Sequence, residues 1–582
     1  MGPVQLSLLD GAFADFIVRV TDEPSEYLWL SAAMVSAVTA RGHVCLDLAA
    51  AAGWEIKPAR PEDFQLRLPS ASILQQALTG CNSVGRPGEY TPLVLDGEGR
   101  LYLHRSWDAE RRAVEGIRRH SILHRCDPSA VSAGLNRFFP DEGGKDLQRT
   151  AAEAALCSGF TVVSGGPGTG KTTTVARILA LLVEAAGIDP GRISLAAPTG
   201  KAALRLKQSL AGVYKQLPLA EAVQAAMPRE VTTVHRLLGL GGGGRAGRYN
   251  RDNPLPCQVL VVDEASMVDL PLMASILEAL SPGARVILLG DRDQLASVEA
   301  GAVLADICAG SEEGRAAGER PAIIQLTKSY RFDGNSGIGT LSRLINAGDG
   351  DGTVELLLSG CHADVCWRRL PGGGGFPEAV VAAARSGFEA FTRACSPGEA
   401  LQALDSFRIL TPLREGGQGA AGLNRLLESA PRQLGGICLS QLKPVMIREN
   451  NYDIGLFNGD TGVVLDEGES NPAAYFQADT GESLRRLSSL RLPPHETAYA
   501  LTVHKSQGSE YDSVLLVLPD RLSDVMCREL LYTAVTRAKK RVEIWGRWMS
   551  SAVWLAAAPP ETADCRICYG RGRRHEDLSC GR

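Results

Sequence analysis

Eight consecutive residues, Gly165-Gly166-Pro167-Gly168-Thr169-Gly170-Lys171-Thr172, fit the pattern G-x-x-x-x-G-K-[ST] at every position. Glycines let backbone N–H groups turn inward around an anion, and the N-terminus of a following helix adds partial positive charge. In that geometry Lys171 reaches the β- and γ-phosphates of a nucleotide, the Thr172 hydroxyl ligates Mg²⁺, and Thr173 completes the nucleotide-binding set. A Gly-rich turn that merely opens a helix is the bland alternative; the complete match between a strand and a helix argues against it. Hydrolysis needs two further groups. Asp263 is a carboxylate that can hold Mg²⁺, and Glu264 beside it can take a proton from the attacking water. An isolated Asp-Glu pair is usually solvated surface, but this one closes the apolar run Val259 to Val262. Together the two sites predict an ATPase that uses ATP and Mg²⁺.

Strand ends must hold these groups. Phe160-Thr161-Val162-Val163 leads into the glycine loop, and Ile193-Ser194-Leu195-Ala196 leads into Pro198-Thr199-Gly200. Val286-Ile287-Leu288-Leu289 ends at Gly290-Asp291. Near-continuous apolar strands alternating with helices predict an α/β fold with a parallel sheet buried on both faces. The texture returns at Phe407 to Leu410, Ser513 to Val517 and Val542 to Trp545, which predicts a second α/β domain. Residues 436–495 change to short strands and tight turns such as Asn458-Gly459, predicting a small inserted β-barrel. Residues 1–125 are rich in Ala and Leu at helical spacing, as in Tyr27 to Met34, and predict a helical accessory domain.

Composition removes other classes. With 582 residues, 45% hydrophobic and 22% charged, the chain is neither disordered nor fibrous. Fourteen scattered cysteines, and an opening segment carrying Asp10, Asp15 and Arg19, predict a reducing cytoplasm rather than secretion. No apolar run approaches the ~20 residues needed to span a bilayer, so no membrane association is expected. A net charge of −5 excludes a uniformly basic nucleic-acid coat, so any such binding is confined to a groove.

Four further stretches follow in order: Gly290-Asp291-Arg292-Asp293-Gln294-Leu295, Leu326 to Phe332, Leu501 to Asp512 and Tyr532 to Lys540. A glutamine at Gln294 could sense a γ-phosphate through the attacking water. As a series over about residues 145 to 550 these stretches resemble the motifs of superfamily 1 DNA helicases. The wording is closest to the RecD group, through Asp263 to Ser266, Val503 to Gly508 and Phe457 to Asp460, and the block around Gly42 to Leu48 resembles the same group.

The resemblance implies two RecA-like P-loop domains, a helical N-terminal domain and an inserted SH3-like barrel. The expected division is a partner-docking domain at 1–125, a first motor domain at 126–350, a linker and the start of the second motor domain at 351–435, the barrel at 436–495, the rest of the second motor at 496–550, and a basic tail at 551–582. It further implies that Gln148 reads adenine, that Arg331 and Arg537 reach the γ-phosphate from either side of the cleft, and that Glu510 lies near the ribose. Thr199, Lys201 and His235 on the first domain, with Thr411, Thr502, His504 and Lys505 on the second, match strand-contacting motifs suited to sequence-independent phosphate contacts.

At the level of function the resemblance implies 5′-to-3′ translocation on single-stranded DNA and action at duplex ends. It also implies a heterotrimer with RecB-like and RecC-like subunits serving double-strand break repair and recombination. A stand-alone RecD-like helicase remains open, although such chains carry a longer N-terminal extension. So does an ATP-switched assembly subunit without processive unwinding. Residues 240–255, with Arg245, Arg248, Tyr249 and Arg251, read as a strand-separating hairpin or as a flexible basic loop. Cys565, Cys568, His575 and Cys580 have spacing that could hold one Zn²⁺, against the plainer reading of a basic tail. Cys361, His362 and Cys366 read as structural. No metal-dependent nuclease cluster is recognisable, so cleavage of DNA would belong to a partner.

Overall fold

The computed structural model describes residues 4–547 apart from 58–65, 141–145, 241–246, 298, 311–320, 333–334, 372–374, 430–441, 452, 466–471, 479–482 and 522–524. Phe160–Gly165, Val259–Val262 and Arg285–Gly290 bury every residue, as strands do inside a parallel sheet covered on both faces. They belong to a six-stranded parallel sheet in the order Val231–Thr233, Ile193–Ala197, Val259–Val262, Arg285–Gly290, Phe160–Gly165, Ala322–Leu326. Parallel strands put their carboxyl ends along one edge, and that edge carries Gly165, Asp263, Asp291 and the segment after Leu326.

A second parallel sheet has five strands in the order Val365–Arg369, Ala538–Gly546, Tyr511–Val517, Phe407–Thr411, Ala500–Thr502. Between Thr411 and Ala500 the chain makes a five-stranded antiparallel sheet, Leu484–Ser488, Ala473–Gln477, Thr461–Leu465, Leu442–Ile447, His495–Thr497. That sheet has its own small core of Val445, Ile447, Leu456, Ala474 and Phe476. Its Phe457 turn packs against Gly200 of the first domain, where an added Cβ would lie 2.8 Å from the Phe457 Cβ.

The N-terminal region is helical at Leu8–Thr21 and Glu26–Ala40, and the second helix is buried on nearly all sides. It also carries a four-stranded and a three-stranded sheet, built from strands of two to four residues that are too short to leave a periodic signal. The long helix His104–His120 lies on Leu270–Glu278 of the first α/β domain. Gly116 approaches so closely that a Cβ there would sit 2.6 Å from Leu277 Cβ. Arg112 grips Glu278 with two hydrogen bonds of 2.9 and 2.8 Å. Val44, Tyr102, Ala113 and Ile117 consequently share one core with Leu260, Val262 and Leu288, so the packing runs straight across the boundary expected at 125.

Part of the expected basic hairpin, including Arg245, lies outside the described residues. The Tyr249 N–H donates to Leu238 O at 3.1 Å and its ring packs on the first core, with no strand ladder among the described residues. Cys565, Cys568, His575 and Cys580 lie outside the described residues. Among the described residues the cysteines are free, no group of three His, Cys, Asp or Glu is placed to hold a metal, and no helix is long and apolar enough to cross a membrane.

Candidate functional site

The glycine loop leaves the sheet edge after Gly165 and enters the helix Lys171–Glu184. Gly168 and Gly170 have φ of +76° and +80°, left-handed values that glycine adopts without strain. Side chains would also find no space. A Cβ on Gly168 would lie 2.3 Å from Arg331 Cβ, one on Gly170 2.6 Å from Gln148 Nε2, and one on Gly166 3.0 Å from the Tyr532 hydroxyl. The loop is thus enclosed by Gln148 and Arg331 of the first domain and by Tyr532 of the second. Lys171 lies along it, with Nζ donating to Gly165 O and, at 3.2 Å, to Gly166 O. The Thr169 hydroxyl donates to Gly166 O at 2.8 Å, and Gln148 Nε2 donates to Thr169 O at 3.1 Å. Thr172 and Thr173 sit half-buried in the first turn of the helix.

Beside Gln148 a cavity of about 480 Å³ opens between the loop and the segment after Leu326, lined by Phe139, Gln148, Thr173, Arg177, Lys328 and Tyr330 among others. Tyr330 is 63% exposed, so a flat aromatic face stands beside an amide, a combination suited to a heteroaromatic base. Of these six, sequence reasoning singled out Gln148 and Thr173. Tyr330 had a signal, as the aromatic next to Arg331, whereas Arg177 is one more arginine on an ordinary helix.

The strand Val259–Val262 delivers Asp263, whose N–H donates to Ala196 O at 2.9 Å. Glu264 follows with φ +50°, a left-handed value uncommon outside glycine and held where the surroundings over-determine it. Its N–H donates to Asp263 Oδ1 at 2.9 Å. Burial, with the Glu264 charge alongside, raises the Asp263 carboxyl above its ordinary range, which favours a cation at this point. The half-buried Asp263 carboxylate and the Thr172 hydroxyl are hard oxygen donors and fit Mg²⁺.

Contacts from the second domain complete the cleft. Asp291, 2% exposed, accepts the Tyr532 phenol at 2.8 Å and Gln294 Nε2 at 3.2 Å, and its burial pushes its carboxyl upward. Leu295 N–H donates to Thr533 Oγ1 at 2.8 Å, and Gln507 Nε2 donates to Leu295 O at 2.7 Å. Arg331 Nη2 donates to Glu510 Oε1 at 2.7 Å, while its buried Nη1 has no protein partner, an orphaned cationic donor beside the phosphate loop. Arg205 reaches Glu510 Oε2 at 3.2 Å and Gly508 O at 2.6 Å. Arg537 is buried, donating from Nε to Thr533 O and from Nη1 to Ser509 O, each at 3.2 Å. Burial alone would raise the Glu510 carboxyl, but the Arg205, Arg331 and Arg537 guanidiniums outweigh it and hold it at about 2. Arg205 is the residue of this cluster that the motif series did not reveal.

The expected strand-contacting residues divide. Thr199 caps the helix Gly200–Tyr214 by accepting Ala202 N–H at 3.2 Å, with Lys201 in the first turn. His235 is exposed on Val234–Leu238. Thr411 and Thr502 use their hydroxyls within their own loops. Thr411 is fully buried and donates to Gln418 O at 2.7 Å, and Thr502 accepts Lys505 N–H at 3.3 Å. Each ends a strand whose following turn leaves backbone groups that a local hydroxyl satisfies. His504 is half-buried, which lowers its pKa, and Lys505 Nζ is paired with Glu496 Oε1 at 2.5 Å.

Three family models match this chain: the N-terminal domain of RecBCD enzyme subunit RecD over residues 4–102, an AAA domain over 148–300, and a UvrD-like helicase C-terminal domain over 497–544. The RecBCD enzyme subunit RecD of Mycobacterium tuberculosis is 38% identical over 99% of this chain and 96% of its own length. The protein of the same name from Haemophilus influenzae is 35% identical over 83% of this chain and 81% of its own. The ATP-dependent RecD2 DNA helicase of Deinococcus radiodurans is 33% identical over 82% of this chain but only 59% of its own length.

Proposed function

The chain belongs to the RecD family of RecBCD enzyme subunits, and from that premise we propose how its two RecA-like α/β sheets act as a motor. It is a superfamily 1 DNA helicase subunit and an ATPase. In this reading ATP lies between the two domains, its base in the cavity beside Gln148 and Tyr330 and its phosphates on Gly165 to Gly170. Mg²⁺, held by Thr172 and Asp263, would neutralise charge on the β- and γ-phosphates. Lys171 orients the terminal phosphate, Glu264 takes the proton from the attacking water, and Gln294 orients that water. Arg331 and Arg537 stabilise the charge that develops on the γ-phosphate, and Glu510 takes the ribose side. One observation carries the reading: the phosphate loop is enclosed from both domains at once, by Arg331 on one side and Tyr532 on the other. Closure around ATP and release after hydrolysis then move one domain against the other.

Single-stranded DNA runs across Thr199, Lys201, His235, His504 and Lys505 without regard to sequence, in the 5′-to-3′ direction. The working form is a heterotrimer with RecB-like and RecC-like subunits acting on duplex ends in the cytoplasm, in double-strand break repair and recombination. The match of residues 4–102 to the RecD N-terminal domain supports the subunit reading over a stand-alone one. The inserted antiparallel sheet is read as an SH3-like barrel, supported by its strand count and its separate core.

The test is the ATPase rate with and without single-stranded DNA, on this chain alone and after mixing with RecB-like and RecC-like subunits. Lys171→Ala is expected to abolish hydrolysis, whereas Glu264→Gln retains ATP binding and stalls on DNA, because only the first lesion removes charge from the phosphates. Normal turnover by Lys171→Ala removes the assignment. Failure to join the partners favours the stand-alone helicase, and ATPase without unwinding favours an assembly subunit.

A further inference from the structure

Glu510 belongs to the second domain, yet its two carboxylate oxygens are taken by guanidiniums from two separate parts of the first. Oε1 accepts Arg331 Nη2 at 2.7 Å, and Oε2 faces Arg205 Nη2 at 3.2 Å. Arg331 follows Tyr330, whose N–H donates to Gly168 O at 2.8 Å, so this arm begins on the phosphate loop. Arg205 lies one turn into the helix Gly200–Tyr214, whose first residues follow Thr199 and include Lys201, so the other arm begins where the DNA strand is proposed to lie. Arg205 also donates to Gly508 O at 2.6 Å, which fixes its fork on both the backbone and the side chain of the 508–510 segment. A guanidinium making two such contacts has little freedom to slide.

From this arrangement we infer that Arg205 is a positioning residue that couples the nucleotide cleft to the DNA-facing helix, with Glu510 as the shared relay. An anion on the glycine loop competes with Glu510 for Arg331, whose second amino group is buried there without a partner. As Arg331 turns toward the phosphates, Glu510 is left to Arg205, and the 508–510 segment is held more tightly to the helix that begins at Gly200. Both sites then bias the same salt-bridged element, which is the physical requirement for coupling between them. By reciprocity, DNA that shifts the helix must alter nucleotide affinity by the same factor.

The inference rests on the helicase reading given above, and the experiment separates the two. The full chain, alone and with its partner subunits, is assayed for binding of fluorescent oligothymidylate by anisotropy, with and without a non-hydrolysable ATP analogue. ATPase is measured with and without the same oligonucleotide. Arg205→Ala is expected to lower DNA stimulation about tenfold, well beyond any change in DNA-independent ATPase, and to leave the analogue without effect on oligonucleotide affinity. Arg205→Lys, which keeps the charge but loses the fork, should recover part of both effects, and a purely structural role predicts no such graded rescue. Wild-type stimulation and wild-type nucleotide dependence in Arg205→Ala would overturn the coupling role alone. Absence of any DNA stimulation in the unaltered protein would overturn the helicase reading as well.

Discussion

Tyr532, on the helix Arg528–Thr536 of the second domain, donates its phenol to Asp291 of the first at 2.8 Å, at a point where Asp291 is 2% exposed. The same hydroxyl lies 3.0 Å from where a side chain on Gly166 would begin. One buried hydrogen bond therefore spans the domain interface beside the phosphate loop.

Tyr532→Phe leaves that Asp291 oxygen with Gln294 alone. A buried acceptor that loses a partner costs about 1–3 kcal/mol, and here the cost falls on the closed arrangement of the cleft. The expected outcome is a kcat for DNA-stimulated ATPase lowered roughly tenfold, with a smaller change in KM for ATP. Unaltered steady-state kinetics would remove this bond from the account of closure.

Glu510 gives a pH signature. Its carboxyl is lowered from about 4.5 to about 2, so its ion pairs stabilise the folded chain fully above about 4.5, and that contribution fades as the pH falls toward about 2. The gap in Tm between the wild type and Glu510→Gln is expected to stay constant from about pH 8 to about pH 5 and to narrow below. A gap that instead narrows on raising the pH through neutrality would contradict the assignment of the charges.

Lys505 is paired with Glu496 at 2.5 Å, so its charge is already partly answered within the protein. Glu496→Gln is expected to strengthen single-strand binding at low salt and to steepen the dependence of log affinity on log salt by up to about 0.7. Lys505→Ala is expected to flatten the slope instead. A titration across salt concentrations in which Glu496→Gln leaves both affinity and slope unchanged would place Lys505 away from the strand.

Removal of residues 1–125 takes the helix His104–His120 off Leu270–Glu278 and uncovers Leu277 and the core around Val286. Loss of large buried side chains costs several kcal/mol in a core, so the truncated chain is expected to melt at a lower temperature and to lose ATPase through instability. Circular dichroism melts of the two chains decide it. An equal Tm would show the first α/β domain to be independent of the block.

Sequence pattern revealed the parts of the site that are contiguous in the chain. The glycine loop, Asp263-Glu264 and the apolar strands behind them announce themselves through spacing and hydrophobicity. The inserted sheet was legible as well, because short strands between tight turns contrast with the α/β texture around them. Arg205 was not legible, since its partner Glu510 is far away in sequence and an arginine on a polar helix face carries no local signal. The inward use of the Thr411 and Thr502 hydroxyls was equally hidden, because a strand-end threonine reads the same whether it caps a loop or meets a phosphate. The small N-terminal sheets escaped through brevity, and helical spacing in Glu26–Ala40 did not reveal how many of its faces are covered.

The two parallel sheets differ in when they can be completed during synthesis. The first has all six strands once Leu326 has been made. The second begins with Val365–Arg369, whose neighbour in the sheet is Ala538–Gly546, with Val365 opposite Val542. Its strand Phe407–Thr411 must likewise wait for Ser513 and Ala500 to arrive opposite Phe407 and Ile409. A ribosome making this chain from the N-terminus therefore releases a finished first sheet long before the second can pair, and apolar strands of the second remain open throughout the interval. Such exposure is where nascent chains aggregate or recruit chaperones, so slow translation beyond Thr411 would burden the second domain and spare the first.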